Sequence, residues 1–167
     1  SSNSVRRPPA ANPGLTHRPV PALSLAPVAP ATLYAGTSSG GVFKSTDSGG
    51  TWLPTHPATP DLDVNTFAID LATPATLYAG SYQDWQVAQV FKSTNSGATW
   101  AASDAGITST GVLSLSFDPT ATTAIYAATY NGIFKSTNSA ATWVASNSGL
   151  TSLWTLTLAI QPASPAT

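Results

Sequence analysis

Acid chemistry in this chain rests on aspartate alone, because the sequence contains no glutamate. The acids are Asp47, Asp61, Asp63, Asp70, Asp84, Asp104 and Asp118. Hydrolysis of a glycosidic bond needs two carboxylates, one to protonate the leaving oxygen and one to attack or to activate water. Asp61 and Asp63 form a short-spaced pair, with His56 just before them. A second group, Tyr82, Gln83, Asp84, Trp85, Gln86 and Gln89, sets aromatic rings beside amides and a carboxylate. Such a set can stack on a sugar ring and hydrogen-bond its hydroxyls. The favoured reading is an elongated hairpin whose Trp85 packs on a neighbouring element or subunit. His17 and His56 stand alone, so no metal site is read. Neither a glycine-rich phosphate loop nor a nucleophile elbow occurs, and no cofactor is expected.

The elements that would position these residues are repeats. The phrase FKSTDSGGTW at 43–52 returns as FKSTNSGATW at 91–100 and FKSTNSAATW at 134–143. A second phrase runs from Ala31 to Gly36, from Ala75 to Gly80 and from Thr123 to Ala128. A third begins at Leu23, Phe67 and Leu115, with a further copy at Leu158. Each phrase alternates apolar with small or polar residues, the period of a half-buried strand. Between them stand Pro, Gly, Ser, Asn and Asp, which punctuate turns. Each unit therefore predicts four short strands, A to D. Four antiparallel strands recurring at a period in the forties is the sequence form of a β-propeller blade. The expected fold is all-β, with blades at about 20–54, 63–102 and 111–145, an extra strand at 153–160 and an incomplete ring. Residues 1–19 are proline-rich and read as an extended linker, or as an arm along a neighbouring subunit.

Ser45-Thr46-Asp47-Ser48-Gly49-Gly50-Thr51-Trp52 matches the Asp-box, or BNR repeat. The second copy has Asn95 in place of Asp and keeps Gly97; the third has Asn138 and replaces the glycine with Ala140. Over about 20–160 the chain resembles the Asp-box propellers of sialidases, xyloglucan-cleaving endoglucanases, sortilin-type receptors and photosystem assembly factors. The boxes themselves read as structural. Asp47, Asn95 or Asn138 caps turn amides. Gly49 and Gly97 supply a positive φ, which Ala140 does less comfortably, so distortion is expected in the third box. Trp52, Trp100 and Trp143 anchor the turns. One carboxylate per turn is too few hard ligands for a metal. The resemblance to sialidases implies arginines on the substrate carboxylate, yet Arg6, Arg7 and Arg18 all precede the first blade, so that activity is rejected. Asp70 and Asp118 hold equivalent positions after strand A and read as turn caps. In a four-stranded meander the D–A and B–C connections share a face, which puts His56, Asp61 and Asp63 with the Tyr82–Gln89 loop, opposite the boxes.

Charged residues are only 8% of the chain and the net charge is −1. This gives no basic surplus for nucleic acid or an anionic membrane. No apolar run is long enough to span a bilayer, so membrane insertion is not expected. Low charge with abundant Ser, Thr and Ala fits a secreted or surface protein, with O-linked glycans as a further expectation. No signal peptide is visible, and Ser1 reads as following a processed leader.

Three blades fall short of the usual four to eight. An open edge bearing Leu153, Leu156, Leu158 and Ile160 is a template for pairing. The chain is then a fragment of a longer one, half of a two-chain ring, or a donor of strand 153–160 to its neighbour. Segment 154–167 resembles 20–32, so one can compete for the other's place. The sequence thus favours a non-enzymatic scaffold whose partners are copies of itself. A carbohydrate-binding or glycan-processing propeller, with glycans as partner, is the alternative.

Overall fold

The computed structural model describes residues 12–16, 19–55, 62–82 and 89–161. His56, Asp61, Asp84 and Trp85 lie outside them. Strands β1 (Ala22–Leu25), β2 (Leu33–Thr37), β3 (Gly41–Ser45) and β4 (Leu53–Pro54) form blade one. Blade two holds β5 (Asp63–Ile69), β6 (Leu77–Tyr82), β7 (Gln89–Ser93) and β8 (Ala101–Ala102). Blade three holds β9 (Val112–Asp118), β10 (Ala121–Thr129), β11 (Gly132–Ser136) and β12 (Val144–Ala145). All neighbouring strands are antiparallel, and each blade is a simple meander. The fold is therefore all-β, a run of propeller blades in an incomplete ring.

Alternation decides which side chains pack between blades. In β2 and β6 the tyrosine of the Leu-Tyr-Ala phrase turns toward the following blade. Tyr34, Val42, Val64, Leu77 and Trp100 fill the space between blades one and two. Tyr78, Val90, Val112, Leu115, Ile125 and Trp143 fill the next space. Each such aliphatic or aromatic burial contributes about 1.5–3 kcal/mol. The inner strands β1, β5 and β9 pack in succession, which aligns the blades around a common axis. The approach is close: a Cβ on Gly80 would stand 2.6 Å from Val112 Cγ1 and 2.6 Å from Thr66 Cγ2. Only glycine lets β6 come that near to β9.

The two ends of the array differ from the joints between blades. On blade one, Leu23 and Leu25 of β1 are 66% and 54% exposed, while their counterparts in β9, Leu115 and Phe117, are packed into the joint with blade two. Leu15 covers part of this end by packing against Ala35, Phe43 and Trp52. Beyond blade three, residues 153–160 run along the open face without ladder pairing, so the extra strand is not formed there. A strand is made by ladder hydrogen bonds to a neighbouring strand, and no described strand pairs with this segment. Its position is nonetheless that of a strand A. The Leu158 amide donates to Ser114 Oγ, as the Leu115 amide donates to Thr66 Oγ1 one blade earlier. Thr155 amide and hydroxyl both donate to the Thr129 carbonyl.

Candidate functional site

Three turns between the third and fourth strands of the blades share one geometry. Asp47 Oδ1 accepts from the Thr51 amide at 2.8 Å and from Ser45 Oγ at 2.7 Å, and Oδ2 accepts from Thr51 Oγ1 at 2.8 Å. These donors, led by the Thr51 amide, hold the Asp47 carboxyl at about 2, well below the usual carboxylate range. Asn95 and Asn138 accept from the amides of Thr99 and Thr142 in the same way, and their amide nitrogens turn the second bond around, donating to the threonine hydroxyls. Asparagine is thus a complete substitute for aspartate here. Gly49 and Gly97 have φ of 89° and 82°. Ala140 takes φ 65° instead, yet its amide still donates to Ser136 Oγ at 3.0 Å, as Gly97 does to Ser93 at 2.9 Å. The distortion expected in the third turn is absent, because buried packing of Ala140 between blades over-determines its backbone.

The turns engage the preceding blade through a clamp. Tyr34 Oη and Lys44 Nζ, on adjacent strands of blade one, both donate to the Ser96 carbonyl of the second turn, at 3.0 and 2.9 Å. Tyr78 Oη and Lys92 Nζ of blade two repeat this on the Ser139 carbonyl, at 3.1 and 3.0 Å. In each pair the ammonium also lies over the tyrosine ring, 5.4 Å from its centroid. Burial pushes the Tyr78 hydroxyl up to about 12, with help from the Asp70 charge. Blade three carries the same pair, Tyr126 and Lys135, with the ammonium 5.0 Å from the ring centroid. Among the described residues this pair holds no carbonyl. Lys135 finds its hydrogen bond in Tyr126, which raises its pKa. The Ser48 carbonyl at the other end of the array occupies the clamped position of its turn and receives no clamp among the described residues.

The tryptophans add a second joint. Trp100 Nε1 donates to Thr55 Oγ1 of blade one, and Trp143 Nε1 to the Ser103 carbonyl of blade two. The Trp143 amide donates to the carbonyl of Ala105, in a turn with Gly106 at φ 99°. The Trp52 amide makes the same bond to Pro13, in a turn with Gly14 at φ 90°. A third such turn, Asn147 to Leu150 with Gly149 at φ 85°, has nothing within reach of a Cβ on Gly149.

Among the described acids, Asp47, Asp70 and Asp118 each cap a turn of their own. Asp70 caps Ala72 and Thr73, and Asp118 caps Thr120. Asp63 Oδ1 accepts from the Ser39 amide at 2.6 Å, tying the start of blade two to the β2–β3 turn of blade one. Tyr82 lies in a cleft of about 390 Å³ with Thr110, Tyr130, Asn131 and Trp154. Tyr82 and Tyr130 meet edge to face at 5.6 Å, and Tyr130 meets Trp154 at 5.8 Å. Gly111 permits this closure, since a Cβ there would stand 2.8 Å from the Tyr82 ring. Of the expected donated residues, Leu158 and Ile160 are half-buried on blade three, while Leu153 and Leu156 are exposed. Sequence reasoning missed Tyr130, Trp154, Tyr126 and Lys135. The signal was present: Tyr82 and Tyr130 follow equivalent repeat positions, and so do Lys44, Lys92 and Lys135.

No protein-family model matches this sequence, and no curated protein is similar to it. Solved structures are similar in fold. An ancestral GH74 enzyme superposes with a TM-score of 0.71 at 22% identity, over 78% of this chain and 19% of its own. The GH74 enzyme of Niastella koreensis gives 0.61 at 26% identity, over 75% of this chain and 22% of its own. YCF48 bound to D1 peptide gives 0.57 at 13% identity, over 80% of this chain and 46% of its own. The chain thus spans less than half the length of each, and the likeness establishes a β-propeller fold.

Proposed function

We propose that this chain is an Asp-box propeller module with a non-enzymatic, scaffolding role, and that it assembles by taking a blade of another copy against its blade three. One observation carries the reading. Two Tyr–Lys clamps, on blades one and two, each hold a turn carbonyl of the following blade, while the third, Tyr126 with Lys135, is built and holds no carbonyl among the described residues. Exposed Leu23 and Leu25 at the opposite end offer the apolar half of the same joint. A heterologous contact of this kind builds a ring if its rotation closes and a filament if it does not. The engagement of Asp47, Asp63, Asp70 and Asp118 in turns supports a role other than hydrolysis. The low charge of the chain supports a secreted or surface location, where glycans could decorate it. Light scattering across a concentration series tests the proposal. Species heavier than 17.0 kDa are expected, weakened by Tyr126→Phe with Lys135→Met; a strict monomer would overturn it.

A second reading has its own observation. The rings of Tyr82, Tyr130 and Trp154 line an open cleft with Asn131, and Trp154 is 68% exposed. Stacked rings beside an amide suit a sugar chain. Binding to a panel of polysaccharides, lost on Trp154→Ala and on Tyr130→Ala, is the expected result of that reading. Binding indifferent to both substitutions would reject it.

A further inference from the structure

Residues 12–32 and 147–167 align with each other without a gap. Asn12, Gly14, Leu15 and Thr16 match Asn147, Gly149, Leu150 and Thr151; further on, Leu23 and Leu25 match Leu158 and Ile160. The structure places the described parts of the two segments, 12–16 with 19–26 and 147–161, in equivalent roles. Gly14 and Gly149 both sit in left-handed turns, closed by the bonds Leu15 to Asn12 and Leu150 to Asn147. The first turn holds the Trp52 amide through the Pro13 carbonyl, and the second holds no tryptophan amide among the described residues. Residues 22–25 pair with β2 as a first strand, while 155–161 lie in the first-strand position beyond blade three, unpaired on the outer side.

Resting on the assembly reading above, we infer that copies join by strand exchange: residues 147–161 of one copy replace residues 12–26 of the next. The donated segment pairs with β2 of the receiving copy along the register now used by β1, and its Ser148 carbonyl takes the Trp52 amide. Leu158 and Ile160 enter the places of Leu23 and Leu25. The same movement brings the receiving copy's Ser48 carbonyl to the donor's Tyr126 and Lys135, as Ser96 and Ser139 are brought to theirs. The composite blade keeps every strand at its repeat position, so no insertion or register slip is needed. Docking of two intact ends would instead place two first strands, β1 and 155–161, in one position. Exchange removes that conflict, and the receiving copy's own β1 is the part released.

The chain has no cysteine, so a lock can be engineered cleanly. Leu25 and Leu33 are register partners beside the hydrogen-bonded pair formed by Ala26 and Thr32, so theirs is a narrow, non-hydrogen-bonded site whose spacing suits a disulfide. In Leu25→Cys/Leu33→Cys, oxidation fixes β1 on β2. The full-length oxidised protein should be monomeric by sedimentation velocity, and reduction should restore the association of the wild type. Leu158→Asp, at the edge of the array, should abolish association with the β-sheet circular dichroism unchanged. Mixing it with the oxidised lock should yield a one-to-one heterodimer that grows no further, since the lock still donates and Leu158→Asp still receives. Absence of that heterodimer, with each variant folded, would count against exchange. Association of the oxidised lock equal to that of its reduced form overturns exchange. If Tyr126→Phe/Lys135→Met still weakens that association, blades dock intact and the assembly reading survives. A wild type that is monomeric throughout overturns both.

Discussion

The tyrosines of the three clamps differ in what they hold, and that difference sets a measurable asymmetry. Tyr34 and Tyr78 are 2% and 1% exposed, and each hydroxyl bonds a turn carbonyl of the next blade. Replacing either with Phe removes one neutral hydrogen bond and leaves the ring in place. The carbonyl keeps its lysine, so the loss is that of a single bond rather than of a stranded acceptor. That puts the cost at about 1 kcal/mol each, or about 2–4 °C in Tm for a domain of this size. Tyr126 bonds no carbonyl among the described residues and meets only the solvent-exposed Lys135, so Tyr126→Phe should change monomer stability far less. The assay is urea unfolding of each variant at a concentration where the chain is monomeric, followed by tryptophan fluorescence. Adding Lys92→Met to Tyr78→Phe strands the Ser139 carbonyl, so the pair should cost more than the sum of its single changes. Equal effects of Tyr78→Phe and Tyr126→Phe would refute the clamp as the agent that joins blades.

Other consequences can be checked on the same material. Gly80→Ala should destabilise by about 1–3 kcal/mol, read from the urea midpoint, because its Cβ would be driven into Val112 and Thr66 on neighbouring strands. Asp47 has a folded pKa lowered to about 2 from 3.8, so its contribution is present above pH 3.8 and is lost as pH falls toward 2; acid titration of Asp47→Asn should lack that part of the transition. The Tyr78 hydroxyl runs the other way: with a folded value of about 12 against 10.0, its contribution is intact below pH 10 and is lost as pH rises toward 12, an alkaline transition that Tyr78→Phe should diminish.

The blades were legible because their signals are local. Alternation over four to nine residues, glycine at turns and the recurring FKST phrase each specify a strand or a turn without reference to distant chain. The substitution of Asn95 and Asn138 for Asp was also readable, since either side chain can accept from the threonine amide. Ala140 was misjudged because its turn conformation is imposed by packing across blades, which no local rule contains. The clamp was invisible for a similar reason. Lys44, Lys92 and Lys135 show in the sequence only as one repeat position, yet two of them reach a carbonyl about fifty residues along the chain. The cleft residues Tyr130 and Trp154 meet only when the blade-three turn and the chain beyond it come together. The Tyr82–Gln89 loop, by contrast, drew attention by its composition, and most of it lies outside the described residues.

The central claim is that the Tyr126–Lys135 clamp receives the first turn of another copy. A single cysteine in place of Ser48, carrying a short photoreactive group, reports this directly, because the native chain has no thiol to compete. After illumination and proteolysis, mass spectrometry of isotopically mixed copies should find the probe joined to the peptide containing Tyr126 and Lys135 of a different molecule. Cross-links confined to the probe's own molecule, or spread over other surfaces of a second one, would contradict the account.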